Sequence, residues 1–149
     1  MLSDLERMIA VDAIKTLRAR FCRALDARNW DALASMVTDG IRLLVANESG
    51  NPALGLADPL SFNGRDAFLA FVRQVIGTGP TIHVATMPEI EVHGPDTAHG
   101  VWLIQGYSES AREHGLTLGI GYETVEDDYV RIDGHWRIDG LTARMKAVL

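Results

Sequence analysis

The chain has one cysteine, no long hydrophobic run and no concentration of basic residues, and each absence excludes a class of protein. Cys22 alone cannot form an internal disulfide, so we expect a reduced thiol and a cytoplasmic location. The sequence shows neither an apolar span of transmembrane length nor a signal-peptide pattern, so we expect no membrane association. The formal net charge of −6 argues against nucleic acid as a partner, because phosphate binding needs a basic face.

Motifs for metals and nucleotides are also missing. The histidines outside the strand at 81–86 show neither His-x-His nor His-Glu-x-x-His spacing, so a metal site has little support. Gly119-Ile-Gly121 lacks the strand, turn and helix context of a nucleotide fingerprint. We therefore expect no cofactor. The length of 149 residues and the hydrophobic content of 47% fit a single globular domain over residues 1–149.

The first half of the chain predicts three helices. Ser3 and Glu6 form a capping box, and an amphipathic first helix follows. Its apolar residues recur at three- and four-residue steps: Leu5, Met8, Ile9, Ile14, Leu17, Phe21 and Leu25. Asn29 can cap a short second helix over 30–37. A third helix begins near 63–66 and ends before Gly77, with an expected buried stripe of Phe68, Leu69, Phe71, Val72 and Val75.

The second half predicts strands only. A brief strand at 41–46 precedes them, and the later strands run over roughly 81–92, 97–108, 116–130 and 135–145. Asp133-Gly134 is a two-residue hairpin signal, so these strands should form an antiparallel meander and an α+β fold. Residues 47–61 show no period. A segment of this length is either a lid over a binding site or a tolerated surface insertion, and both interpretations stay open.

Two strand segments, 82–85 and 101–104, are apolar on both alternating faces. A half-solvated sheet shows polar alternation instead. Helices can cover one face, and a second subunit can cover the other, which predicts a homo-oligomer, a dimer or a trimer. The alternative is a strand at the centre of a thick core.

Asp26 and His83 are unusual choices for their places. An aspartate near a helix C-terminus opposes the helix dipole, and burial in a strand does not call for an imidazole. If Asp26 accepts a hydrogen bond from one ring nitrogen of His83, the other nitrogen is free to take a proton from a ligand. The alternatives are a core histidine satisfied by a carbonyl and a solvated carboxylate beside Arg23 and Arg28.

Several other side chains are candidates to line an apolar cavity beside His83: Trp102, Phe62 and Met87. Tyr107, Tyr122 and Gln105 are candidate hydrogen-bond donors to a ligand oxygen, and the tyrosines are candidate catalytic residues. Glu123 is a candidate second acid or base, with a solvent-facing carboxylate as the alternative. Residues 126–128 have the pattern of a solvated charge run.

Four segments, 14–33, 64–68, 81–92 and 128–138, are together similar to the SnoaL-like branch of the NTF2-like superfamily. The resemblance implies three helices packed into the mouth of a strongly curved antiparallel sheet. The resulting cone holds an apolar pocket, and such proteins usually oligomerise through the sheet. By the same resemblance Leu25 stands where the related dehydratase has a tyrosine and Phe21 where the related dehydrochlorinase has a basic residue, and we expect both to line the pocket.

Scytalone dehydratase and hexachlorocyclohexane dehydrochlorinase, in that superfamily, pair an aspartate at the end of the first helix with a strand histidine. Asp26 and His83 match these positions. The resemblance implies that His83 is a general base and that Asp26 holds its tautomer. We expect a cofactor-independent lyase or isomerase, dehydratase-like, that acts on a small hydrophobic, cyclic substrate. The alternatives are a non-catalytic module that binds a lipophilic molecule in the same cone and a domain that only mediates assembly.

Overall fold

A computed structural model describes residues 1–51, 59–113 and 118–149, and these residues form four helices and six strands. The helices are α1 (Asp4–Ala27), α2 (Trp30–Ser35), α3 (Arg65–Ile76) and α4 (Glu109–Glu113). The strands are β1 (Val37–Asn47), β2 (Leu60–Asn63), β3 (Thr81–Val92), β4 (Thr97–Ser108), β5 (Ile120–Ile132) and β6 (His135–Val148). The prediction of an α+β fold is confirmed.

Helix α1 begins with the predicted capping box. The Ser3 hydroxyl accepts a hydrogen bond from the Glu6 backbone N–H at 3.3 Å, and the Glu6 carboxylate accepts one from the Ser3 N–H at 2.7 Å. The helix ends at Arg28, which has a left-handed backbone with φ of 54°. The buried stripe contains Ile14, Leu17, Phe21 and Leu25, whereas the expected apolar residues of the first turns, Leu5, Met8 and Ile9, are exposed.

The strands form one curved, open sheet in the order β2-β1-β6-β5-β4-β3. The predicted antiparallel meander from β3 to β6 is confirmed. Strand β1 begins earlier than expected and pairs with β6 in parallel, a long-range pairing that no local pattern announces. The prediction that only strands follow α3 is wrong, because α4 lies between β4 and β5.

Two predicted segments lie partly outside the described residues. Of the irregular segment 47–61, residues 52–58 fall there, so its interpretation as a lid or an insertion stays a prediction. The strand expected from Leu116 begins at Ile120, and residues 114–117 lie outside the described part.

The core lies between the helices and one face of the sheet. Residues of α1, α2 and α3 pack there against inward side chains of β1, β4, β5 and β6, including Ile41, Trp102, Val125 and Ile138. The opposite face exposes Ile82, Val84 and Leu103. Along the described ranges, no helix is long and apolar enough to span a lipid bilayer.

Candidate active site

The C-terminal end of α1 is tied to the loop that precedes β3. The Arg28 guanidinium donates hydrogen bonds to the carbonyl oxygens of Gly77, at 3.0 Å, and of Gly79. It also donates to the carbonyl of Asp26 at 3.2 Å. The arginine therefore holds the last turn of α1 against the start of β3, and this places the Asp26 side chain beside that strand.

The Asp26 carboxylate receives three hydrogen bonds from β3. Its Oδ1 atom accepts from the Thr81 hydroxyl at 3.0 Å and lies 2.7 Å from Nδ1 of His83. Its Oδ2 atom accepts from the His83 backbone N–H at 3.0 Å. The carboxylate is thus bound to the sheet rather than solvated beside Arg23 and Arg28.

These contacts assign the tautomer of His83. An ionised carboxylate only accepts hydrogen bonds, so the proton of a neutral imidazole lies on Nδ1 and Nε2 carries a lone pair. The His83 side chain is 17% exposed and the Asp26 side chain 25%. The ring edge that carries Nε2 lies over Gly106, where a built Cβ atom would be 3.5 Å from Nε2. In the parts of the chain that the structure describes, Nε2 has no hydrogen-bond partner.

A cavity of about 250 Å³ lies between α1, α3 and the sheet, and His83 lines it. Most of its walls are apolar, and three polar side chains, Arg18, His83 and Glu123, interrupt them. The apolar residues of the wall include Phe21, Leu25, Leu43, Phe68, Phe71, Val72, Ile104 and Leu141. Much of the predicted stripe of α3 thus borders a hollow rather than filling a core.

A second cavity of about 200 Å³ adjoins the first. The two cavities share five lining residues: Val75, Ile76, His83, Glu123 and Met145. Gly106 and Gly121 are paired across β4 and β5, and both line the second cavity. Two neighbouring residues without side chains leave a trough on the inner face of the sheet. His83 and Glu123 thus stand where the two spaces meet.

Glu123 is directed inward, so the alternative of a solvent-facing carboxylate is wrong. Burial raises the pKa of the Glu123 carboxyl, and this outweighs the opposing effects of His83 and Arg18. The nearby Asp127 carboxylate reinforces the rise in pKa. Within the described residues, neither Glu123 oxygen has a hydrogen-bond partner in the protein. The Glu123 carboxyl therefore keeps its proton to a higher pH than a solvent-exposed glutamate does.

A buried polar network lies beneath the cavity floor. The Arg18 guanidinium pairs with the Asp127 carboxylate, which also accepts a hydrogen bond from the Tyr129 hydroxyl at 2.5 Å. The Trp102 indole N–H donates to the Tyr129 oxygen at 2.9 Å. Burial opposes the charge of Arg18, but Asp127 and Tyr129 more than offset it and raise the pKa of the guanidinium. Asp127 is 0% exposed, so the expectation that residues 126–128 are a solvated charge run is wrong at its centre.

Of the residues predicted from the sequence, four line the first cavity: Phe21, Leu25, His83 and Glu123. Phe62 packs behind the wall, with its ring 4.8 Å from that of Phe71. Trp102 belongs to the buried network, and it also lines a third cavity together with His83 and Ala85.

The other predicted contacts fail because of sheet register. Gln105 pairs with Val84 on one side and with Tyr122 on the other, so alternation places Gln105 and Tyr122 on the face opposite His83. Met87 is 77% exposed, because a bulge between Thr86 and Glu89 breaks the alternation that should have aligned it with His83.

Tyr107 borders the second cavity, but its hydroxyl donates to the Glu109 carboxylate. That hydrogen bond raises the pKa of the Tyr107 phenol. Tyr107 is thus engaged by the protein. In the described parts of the chain, no three His, Cys, Asp or Glu side chains converge as a metal site would require.

Helices packed into a curved open sheet with a cavity between them define an NTF2-like fold, and solved structures agree. A hexachlorocyclohexane dehydrochlorinase LinA-type3 from Novosphingobium barchaimii superposes with a TM-score of 0.75 at 21% identity, covering 99% of this chain and 93% of that one. A protein from Novosphingobium aromaticivorans provisionally assigned as a scytalone dehydratase gives a TM-score of 0.76 at 16% identity, covering 99% and 91%.

Sequence comparison gives the family. The probable cyclase FGR4 of Gibberella zeae is 21% identical over 132 residues, which are 89% of this chain and 88% of that protein. The model of the SnoaL-like domain matches residues 6–142. The chain belongs to the SnoaL-like domain family.

Sequence reasoning missed three features of the site. The hydrogen bonds of Arg28 gave no signal in the sequence, because two of the acceptors are the backbone carbonyls of Gly77 and Gly79, far along the chain. The Arg18–Asp127 pair did give one, since each residue interrupts an apolar face: Arg18 lies between Ile14 and Cys22 on α1, and Asp127 alternates with buried residues of β5. The glycine pair became visible only when the register placed one glycine beside the other.

Proposed function

We propose that this protein is a cofactor-independent lyase or isomerase that acts on a small hydrophobic, cyclic molecule. One observation carries the proposal: Asp26 binds Nδ1 of His83, and the same imidazole lines an apolar cavity. A base in this position removes a proton from substrate carbon, and the carboxylate stabilises the imidazolium that forms.

The chemistry begins with a substrate whose C–H bond lies next to an activating group such as a ketone. His83 Nε2 takes the proton, and the electron pair of the C–H bond moves into the activating group. When that electron pair returns, it either expels a leaving group from the adjacent carbon, which is an elimination, or takes up a proton at another atom, which is an isomerisation. Apolar walls such as Phe21 and Leu25 exclude water from the intermediate.

The relatives support this class of reaction. Their names describe a dehydrochlorinase, a dehydratase and a cyclase, and removal of a proton from carbon is chemistry that fits these names. At about 20% identity a shared fold does not select among the reactions. The free nitrogen of His83 is what ties this chain to proton transfer.

A binding module for a lipophilic molecule is the second candidate. It is favoured by the loss of the expected oxyanion donors, since Tyr122 and Gln105 lie on the other face of the sheet and Tyr107 is engaged with Glu109. On this reading the cavity holds its ligand by apolar contact alone.

The test compares wild type with His83→Gln and Asp26→Asn on a panel of monocyclic and bicyclic β-hydroxy ketones. Two readouts are followed: enone formation by absorbance, and uptake of deuterium from solvent at the carbon next to the ketone. A general base contributes about 10²- to 10⁴-fold, so both variants should lose activity in that range.

His99→Gln is the matched control, because His99 also pairs with an aspartate, Asp128, at 2.9 Å but on the surface. It should behave as wild type. Tight ligand binding with neither readout above background, in wild type and variants alike, would favour the binding module and contradict the enzyme.

We also propose a homo-oligomer, a dimer or a trimer. The sheet face opposite the cavity exposes Ile82, Val84 and Leu103, which are 59%, 46% and 40% exposed. Apolar side chains clustered on one sheet face are typical of an interface. Sedimentation of wild type beside Val84→Glu tests this, and a wild-type monomer at all concentrations would refute it.

A further inference from the structure

The inner face of the sheet carries a second titratable group that the general-base mechanism does not use. Glu123 lies on β5, two strands away from His83 on β3, and its neighbours along the register are Ile104 and Met145. Together with His83 it lines both cavities. A molecule that occupies both spaces would therefore contact both the imidazole and this carboxyl.

The space between the two groups is open because the sheet has no side chains there. Gly106, beside His83, pairs with Gly121 in the neighbouring strand. A Cβ atom at Gly106 would lie 3.4 Å from His83 Cδ2, and one at Gly121 would lie 3.2 Å from the Met145 sulfur. Larger residues would close the trough. The glycine pair thus preserves a passage from one cavity to the other past both polar groups.

Along the described parts of the chain, no protein group hydrogen-bonds the Glu123 carboxyl. Ile104 and Met145 flank it, and Arg18 is already paired with Asp127. A neutral carboxyl in such a place donates its hydrogen bond to whatever enters the cavity. The groups that face it are His83, Arg18 and Asp127, and of these only His83 changes its charge during the proposed reaction.

We propose that Glu123 is the general acid of the reaction, and that it protonates a leaving hydroxyl of a substrate spanning both cavities while His83 removes the proton from carbon. This inference rests on the proposed function. The C–H bond breaks and its proton goes to His83, its electron pair forms the carbon–carbon double bond, and the C–O bond breaks. The hydroxyl leaves as water with the Glu123 proton. His83 then returns its proton to the Glu123 carboxylate, and the pair is reset.

The two steps reinforce each other. An imidazolium at His83 lowers the pKa of Glu123, so proton removal from carbon makes Glu123 a stronger acid when the leaving group needs its proton. The substrate class follows: a cyclic molecule with a hydroxyl on the carbon adjacent to the acidic C–H bond. A halide leaves without a proton and would not need Glu123.

The experiment separates the two steps with Glu123→Gln, which keeps the shape of the side chain and removes the proton. The probes are the same β-hydroxy ketones, together with β-chloro ketones of the same skeleton. In Glu123→Gln, loss of water should fall about 10²- to 10⁴-fold, whereas loss of chloride and deuterium exchange at carbon should stay close to wild type. Glu126→Gln, on the opposite face of the same strand, is the matched control.

Each outcome bears on one claim. Unchanged loss of water in Glu123→Gln overturns the general acid and leaves the base at His83 standing. Equal loss of exchange, chloride and water in Glu123→Gln also overturns it, because the carboxyl would then act in the first step or in folding. Failure of wild type in every readout, with no deuterium exchange, refutes the proposed function, and the acid with it.

A measurement on the wild-type chain tests the proposal even if Glu123→Gln fails to fold. The ¹³C signal of the Glu123 carboxyl reports its protonation. It should titrate above the ordinary glutamate value of about 4.3. A carboxyl already ionised at that pH would overturn the proposal whatever the variants do.

Discussion

Removing Arg18 should destabilise the protein far more than removing the whole ion pair. Arg18 and Asp127 are 2% and 0% exposed, so Arg18→Met leaves a carboxylate in the interior whose remaining partner is the Tyr129 hydroxyl. Breaking a buried pair in this way costs about 3–5 kcal/mol of the free energy of unfolding. For a domain of this size that is a fall in Tm of about 6–20 °C.

The double variant Arg18→Met, Asp127→Leu should recover much of the loss. It removes both charges and also two buried atoms without partners, Arg18 Nε and Asp127 Oδ1. The Tyr129 hydroxyl loses its acceptor in the double variant, and this lowers the free energy of unfolding by about 1–3 kcal/mol. The double variant should therefore be more stable than Arg18→Met.

Urea unfolding followed by tryptophan fluorescence measures all four chains of this cycle. Arg42→Met, at an exposed arginine near Asp128 and Asp139, is the control and should change stability by less than about 1 kcal/mol. If the loss in the double variant equals the sum of the single losses, the two charges do not stabilise each other and the argument for a coupled network is refuted.

Three further predictions concern the floor of the site. Tyr129→Phe leaves the Trp102 N–H without its acceptor and should lower the free energy of unfolding by about 1–3 kcal/mol, and an unchanged urea midpoint would contradict this. Because the folded-state pKa of Glu123 is raised, its contribution to stability is present at low pH and is lost as pH rises through that value. Glu123→Gln should gain stability relative to wild type over that window, and a difference that stays constant with pH would count against it. Gly106→Ala places a methyl group in van der Waals contact with the His83 ring, 3.4 Å from Cδ2, and fills part of the trough, so it should lower turnover by up to about 10²-fold. Gly40→Ala, whose Cβ meets nothing within 4 Å, should not lower turnover, and equal turnover in the two variants would contradict the trough.

Local patterns were enough for the first three helices, the meander and the family, but not for β2 or α4. The capping box at Ser3 marks the start of α1, Asn29 accepts the hydrogen bond that begins α2, and the bounds of β3 and β4 agree with the alternation of the sequence. These features depend on residues close together in the chain, whose spacing the sequence displays directly.

Positions that depend on register could not be predicted in the same way. The bulge after Thr86 turned Met87 outward, and the pairing of Gln105 with Tyr122 put both on the far face. A shift of one residue exchanges the two faces of a strand, and the chain has no local signal for it.

The amino-acid sequence by itself determined the first three helices, the meander and the choice of Asp26 and His83 as unusual residues in their places. Only the tertiary structure decided that the hydrogen bonds of Arg28 bring Asp26 Oδ1 within 2.7 Å of His83 Nδ1. It also decided that the pair Gly106 and Gly121 leaves a trough beside them and that Glu123 lines that space. The physical reason is distance along the chain. Helices and turns form from neighbours, whereas a proton-transfer site forms where strands distant in sequence come together with their side chains on a common face.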